Sequence, residues 1–174
     1  MLNHINPQFI SFIRSVSDVK LGIPIIFQDN RNKNLLFGFD RMNEQTFNNI
    51  RKTHSSNVYL LISEQRKRYL NLKKAKILCT NLDFRDLQEI AFSLNVNSIQ
   101  ELEVYELNTL ENDALKFLKL IELFPVGLMT EYTENYEKSH DNVNLNFVDA
   151  VNMAYYINSV NNDMYEVCRA DLKL

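Results

Sequence analysis

Three histidines, two cysteines and one dense run of cations are the side chains of this 174-residue chain whose types and spacing could do chemistry. His54 is followed by Ser55 and Ser56, an order that suits acid–base work or phosphate binding. No general-base partner is identifiable by spacing, so the plainer reading is a loop at a helix C-terminus, where a histidine complements the helix dipole. His140 stands among Lys138, Asp141 and Asn142 and reads as solvated, and His4 sits near a terminus that frays. Cys79 and Cys168 are far apart, with no CxxC and no Cys/His cluster, which argues against both a disulfide scaffold and a zinc site. Cys79, within an apolar run, reads as a small core residue rather than a nucleophile. The run RKRYLNLKKAK, Arg66 to Lys76, is a local basic cluster with an aromatic inside it, as a nucleic-acid surface has. With Glu64 beside it, the run reads first as a solvated face; an RNA-binding module is the alternative.

These side chains are positioned by elements that the apolar spacing predicts. Asn6 caps and Pro7 opens a helix whose Phe9, Phe12, Ile13, Val16 and Val19 form one stripe, ended by Gly22. Pro24 to Phe27 and Leu35 to Phe37 are short strands joined by the polar stretch DNRNKN. A helix from near Asn43 turns Phe47 and Ile50 inward. Val58 to Ile62 is continuously apolar, which suits a strand buried on both faces, and Ser63 and Glu64 start another helical turn. Ile77–Leu78 is a further strand, and Leu82 to Leu94 a helix burying one side. Leu102 to Leu107 alternates apolar and acidic residues, the period of a strand with one wet face. Asn108 or Thr109 caps a helix carrying Ala114, Phe117, Leu118 and Ile121, with Pro125 as its stop. Val126 to Met129 is the next strand, EYTENYEKSHDN a loop, Leu145 to Val148 a short strand and Asp149 to Ile157 a helix. Alternating strands and helices predict an α/β domain; the hairpin-like start predicts a mixed sheet flanked by helices rather than a purely parallel one.

Length and composition bound the rest. At 174 residues and 45% hydrophobic, with no repeat and no dividing linker, residues 1–174 are expected to form a single domain. A formal charge of -3 gives the surface as a whole no strong attraction for nucleic acid or anionic membrane. No apolar run approaches the length of about 20 residues that spans a bilayer, and the N-terminus lacks the pattern of a signal peptide, so the cytoplasm is the expected compartment.

LGIPIIFQDNRNKNLLFGFDRMNEQTFNNIRKTHSSNVYLLISEQRKRYLNL, residues Leu21 to Leu72, resembles the opening of the 3,4-dihydroxy-2-butanone 4-phosphate synthase family. The landmarks are Gly22-Ile23-Pro24, the loop Asp29 to Asn34, the helix near Asn43, His54-Ser55-Ser56-Asn57, the strand from Val58, and Ser63-Glu64-Gln65-Arg66. DALKFLKLIELFPVGLMTEY, Asp113 to Tyr132, is similar to the helix, proline-led strand and glutamate near that family's end. Together the two stretches cover roughly half of the chain and carry order and spacing better than identity.

The resemblance implies a synthase-like fold and, in the family, magnesium-dependent conversion of ribulose 5-phosphate to dihydroxybutanone phosphate and formate. The family's loop after the first strand is rich in Asp, Glu and Arg. Here only Asp29 and Arg31 match in type, and neutral amides neither abstract a proton nor hold a divalent cation by charge. The family's histidine-threonine-glutamate motif, whose histidine binds the metal, falls on Leu110-Glu111-Asn112. The arginine-glycine-histidine phosphate segment has no counterpart, while Glu131 coincides with a family glutamate. Asp29, Arg31, His54 and Glu131 are therefore candidates for a relic site, with no metal and no cofactor expected in this domain.

The resemblance narrows to the degenerate synthase-like domain that precedes the cyclohydrolase in some GTP cyclohydrolase II proteins. It rests on GIPIIF, ISEQR, FPVGLMTEY and the tail YEVCRADLKL, which is similar to the junction with that domain. It implies a non-catalytic scaffold or interaction domain of riboflavin biosynthesis, a GTP cyclohydrolase II domain as partner, and a homodimer. Phe147 to Tyr156, with Met153, Tyr155 and Tyr156 at helical spacing, is richer in aromatics than one short helix needs to bury, and reads either as core packing or as the dimer contact. A divergent magnesium-dependent synthase is the enzymatic alternative. The fold is also similar to that of a threonylcarbamoyl-AMP synthase family, whose threonine-glutamate-threonine start is not found here.

Overall fold

The computed structural model describes residues 7–53, 57–94, 102–133, 144–153 and 155–156. In chain order its elements are α1 (Pro7–Lys20), β1 (Ile25–Gln28), β2 (Lys33–Gly38), a 3-10 turn (Phe39–Arg41), α2 (Glu44–Thr53), β3 (Val58–Ile62) and α3 (Glu64–Tyr69). There follow β4 (Lys76–Leu78), α4 (Phe84–Phe92), β5 (Val104–Tyr105), α5 (Thr109–Leu120), β6 (Val126–Glu131), β7 (Phe147–Asp149) and a 3-10 turn (Ala150–Asn152). Four helices start on side chains suited to capping orphan backbone donors. The Asn43 side chain accepts from the Thr46 N–H, and Ser63 from that of Arg66. Asp83 and Asn108 form reciprocal capping boxes with Asp86 and Glu111.

The strands form one seven-stranded mixed sheet, ordered β5-β4-β3-β6-β2-β1-β7. Only β1 and β7 pair in parallel; every other neighbour is antiparallel. Strand β6 enters between β2 and β3, and its residues Val126 to Thr130 are all buried, as a central strand covered on both faces requires. Helices α1 and α5 cover one face, where Phe12, Val19, Phe117 and Leu118 meet Leu36, Leu61 and Met129. Helices α2 and α4 cover the other, with Phe47, Ile50, Leu87 and Ile90 against Leu35, Leu60, Ile62 and Leu128. The approach of α5 is close at Gly127, where an added Cβ would stand 3.0 Å from both Leu118 Cδ1 and Leu36 Cδ1.

Several expectations change in detail. The strand expected over Leu102 to Leu107 is only two residues long. Helix α5 stops at Leu120 rather than running to Pro125, because Glu122 takes a left-handed φ of 64° and the Leu123 N–H turns back to the Leu118 carbonyl. Ile13 and Leu94, assigned to buried stripes, are exposed. The tail begins as a 3-10 turn capped by Asp149, and its apolar residues divide: Met153 and Tyr156 enter the core, while Phe147, Val151 and Tyr155 face outward. Tyr156 stacks on Phe12 with ring centroids 4.8 Å apart, so this member of the expected dimer contact belongs to the chain's own core. No helix among the described residues is long and apolar enough to cross a membrane.

Candidate functional site

A polar cleft of about 310 Å³ opens where β6 ends. The register of the sheet assembles its wall. Asn34 on β2 stands opposite Glu131, and on the other side of β6 Val58 stands opposite Thr130 and Tyr59 opposite Met129. The β4 strand adds Lys76, and the start of α5 adds Asn108 and Glu111. Arg31 and Asn32 reach the cleft from the loop between the first two strands, and Lys33 from the start of β2.

Its centre is a pair that the sequence did not single out. Lys76 Nζ lies 2.6 Å from Glu111 Oε1, and only 17% and 5% of the two side chains are exposed. Glu111 Oε2 accepts the Asn108 N–H at 2.8 Å, while the Asn108 side chain accepts the Glu111 N–H, so the capping box that starts α5 also fixes the carboxylate. Lys76 Nζ sits 4.1 Å from the centroid of the Tyr59 ring, and the Tyr59 and Tyr105 rings meet in a T-shaped contact with centroids 5.9 Å apart. Ammonium, carboxylate and aromatic face thus hold one another in a partly desolvated place, where such contacts are stronger than at an open surface. The Asn-x-x-Glu spacing of Asn108 and Glu111 was a legible signal for the carboxylate; nothing local announces Lys76, 35 residues away.

The candidates read from the sequence separate. Arg31 and Glu131 do line one cleft. Asp29 does not: its Oδ1 accepts the backbone N–H groups of Arg31 and Asn32, both at 2.7 Å, closing the loop on itself. Those bonds hold its carboxyl below the usual carboxylate value. His54 lies outside the described residues, as do His4, His140 and Cys168. Leu110 is buried in the apolar core and offers no ligand atom. Cys79 is fully buried, and burial pushes its thiol up to about 12, which suits an inert core residue.

A divalent cation fits this donor set poorly. Among the described residues no three Asp, Glu, His or Cys side chains converge on a metal position. Of the two carboxylates in the cleft, Glu131 is exposed, and Glu111 has both oxygens engaged, one of them by an ammonium that would repel a second cation. No step is therefore derived through a metal.

The basic run Arg66 to Lys76 is largely engaged within the fold. Arg66 donates to the carbonyls of Ile90, Glu89 and Ser93 at the end of α4. Lys67 and Arg68 pair with Glu64, and Lys76 with Glu111. A second cavity, a groove of about 660 Å³, lies where β6 begins and is lined by Val126, Phe92, Phe124, Tyr69, Arg66 and Asp40, among others.

No protein-family model matches the chain, and no curated protein matches it. Solved structures do. The two-domain 3,4-dihydroxy-2-butanone 4-phosphate synthase RibBX of A. baumannii superposes with a TM-score of 0.63 at 14% identity, over 83% of this chain and 56% of that one. The 3,4-dihydroxy-2-butanone 4-phosphate synthase of Candida albicans superposes with a TM-score of 0.57 at 16% identity, over 84% of this chain and 96% of that one. The chain thus spans just over half the length of the two-domain structure, and it has the synthase-like α/β fold, mixed sheet and flanking helices included, that the sequence led us to expect.

Proposed function

We propose that this chain, with its dihydroxybutanone phosphate synthase-like fold, is a domain associated with riboflavin biosynthesis that does not itself run the synthase reaction. Its role is that of a cytoplasmic scaffold or interaction domain beside a GTP cyclohydrolase II domain, with a second copy of itself as the other partner. The observation that supports the non-catalytic reading is the loop after β1. Its only carboxylate, Asp29, is turned back onto the loop's own backbone, so no acidic group from that loop enters the cleft to move a proton.

Formate release from ribulose 5-phosphate in the presence of magnesium tests this directly. The purified chain should match the no-enzyme control. Turnover that disappears in Glu131→Ala would overturn the reading and leave the divergent synthase in its place. Sedimentation of the chain alone, and then mixed with a GTP cyclohydrolase II, tests the partners: a monomer in both runs would remove the scaffold role.

A further inference from the structure

The polar cleft holds a fixed cation of its own, and its surroundings explain why it stays. Lys76 is anchored from two sides, by Glu111 Oε1 at 2.6 Å and by the Tyr59 ring at 4.1 Å, on a strand whose register with β3 and β5 fixes where its backbone lies. Were Lys76 to swing out, Glu111, with 5% of its side chain exposed, would be left charged and almost dry, which is strongly disfavoured. A magnesium or manganese ion bound to Glu111 Oε1 would sit about 2.1 Å from it, within about 5 Å of the ammonium once the two contact lengths are added. Nearby Asn34, Asn57 and Asn108 offer only neutral oxygens against that repulsion, and the other carboxylate of the lining, Glu131, is exposed and shares the cleft with Arg31 and Lys33.

We infer that Lys76 is a resident cation that stands in for a divalent metal in the polar cleft, so that the site excludes magnesium and manganese and keeps its shape without them. This deepens the non-catalytic reading and rests on it, but it concerns binding rather than turnover. The ammonium makes a directed contact with one carboxylate, whereas a divalent ion would gather several oxygens around itself. The exclusion is therefore a property of the side chain at position 76 and can be removed with it.

Manganese binding to the full chain, followed by electron paramagnetic resonance of the free ion, tests the assignment without any turnover. Wild type should show no saturable binding. Lys76→Gln should bind manganese saturably, at least about tenfold more tightly than the weakest affinity that the wild-type titration would have detected, a gain lost when Glu111→Gln is added. Saturable binding to wild type that Glu111→Gln abolishes would overturn the inference, and this measurement does not depend on the folding of any position-76 variant. A Lys76→Gln chain that keeps its circular dichroism spectrum yet gains no manganese would overturn it as well. The formate assay keeps the two readings apart: a wild type that binds manganese but releases no formate sinks only the role of Lys76, while formate release without bound metal sinks only the non-catalytic reading.

Discussion

Strand β6 has a cavity at each end, and the two treat their polar groups differently. Where it exits, Thr130 and Glu131 border the polar cleft, and the buried carboxylate there has an ammonium on one oxygen and a backbone donor on the other. Where it enters, Val126 borders the apolar groove, with Phe92 stacked on Phe39 and edge-on to Phe124. There the buried Asp40 Oδ1 has no hydrogen-bond partner among the described residues, and its other oxygen is 3.9 Å from Arg41. The cleft draws its groups from separate elements, β4 and α5, so its geometry exists only when the fold is complete. In the groove the ion pair joins neighbours in sequence, and the ordering is done by Arg66, which ties α3 to the end of α4. Among the described residues, buried polar groups are thus fully partnered where β6 exits and incompletely partnered where it enters.

The strongest way to break that contrast is at the cleft. Lys76→Met leaves Glu111 charged and without its cation, and should lower unfolding stability by about 3 kcal/mol in urea titrations. Adding Glu111→Gln should recover part of the loss, because a neutral amide needs no counter-charge; full additivity of the two losses would show that the pair is not coupled. Next comes Arg66→Ala at the groove, which removes three bonds from a charged donor to the carbonyls ending α4 and should cost about 2 kcal/mol. Arg66→Lys should recover little of this, since an ammonium lacks the fork that reaches all three oxygens.

Asp40→Ala should change stability by less than about 1 kcal/mol, or raise it, because it removes a buried oxygen that has no partner to lose. A loss as large as that of Lys76→Met would erase the difference between the two ends. Smallest is the pH effect of Asp29. Its folded-state pKa is depressed by the Arg31 and Asn32 N–H groups, so its contribution is present above the ordinary carboxylate value of 3.8 and is lost as pH falls through the lower, folded value. Comparing wild type with Asp29→Ala from about pH 6 to about pH 2, the stability gap should narrow toward the acid end. A gap that widens there would mean that the loop is not held by the carboxylate.

The record of the sequence against the structure follows the range of the forces involved. Local signals survived: Pro7 opens α1, α2 begins next to Asn43, Ser63 starts its helical turn, Asn108 caps α5, and the unbroken apolar run Val58 to Ile62 is a buried strand. Where a boundary depended on backbone geometry with no side-chain marker, as at left-handed Glu122, the expected helix end was misplaced. Arg31 and Glu131 were nominated by resemblance and do share a cleft, whereas Asp29 was nominated alike and turned to its own loop, since a short polar side chain followed by two free N–H groups satisfies them first.

By itself, then, the sequence determined the alternation of helices and strands, the Asn108 cap, the mixed character of the sheet and the poverty of acids in the loop after β1; the cap expected at Asn6 lies outside the described residues. These follow from propensity, hydrophobic period and residue type, which act within a few positions of one another. Only the tertiary structure decided that β6, late in the chain, would lie between β2 and β3, that Tyr156 would be core, and that Lys76 would meet Glu111. Each of those outcomes depends on partners far apart in sequence, and the buried carboxylate of α5 finds its counter-charge only after the fold has brought β4 alongside the start of that helix.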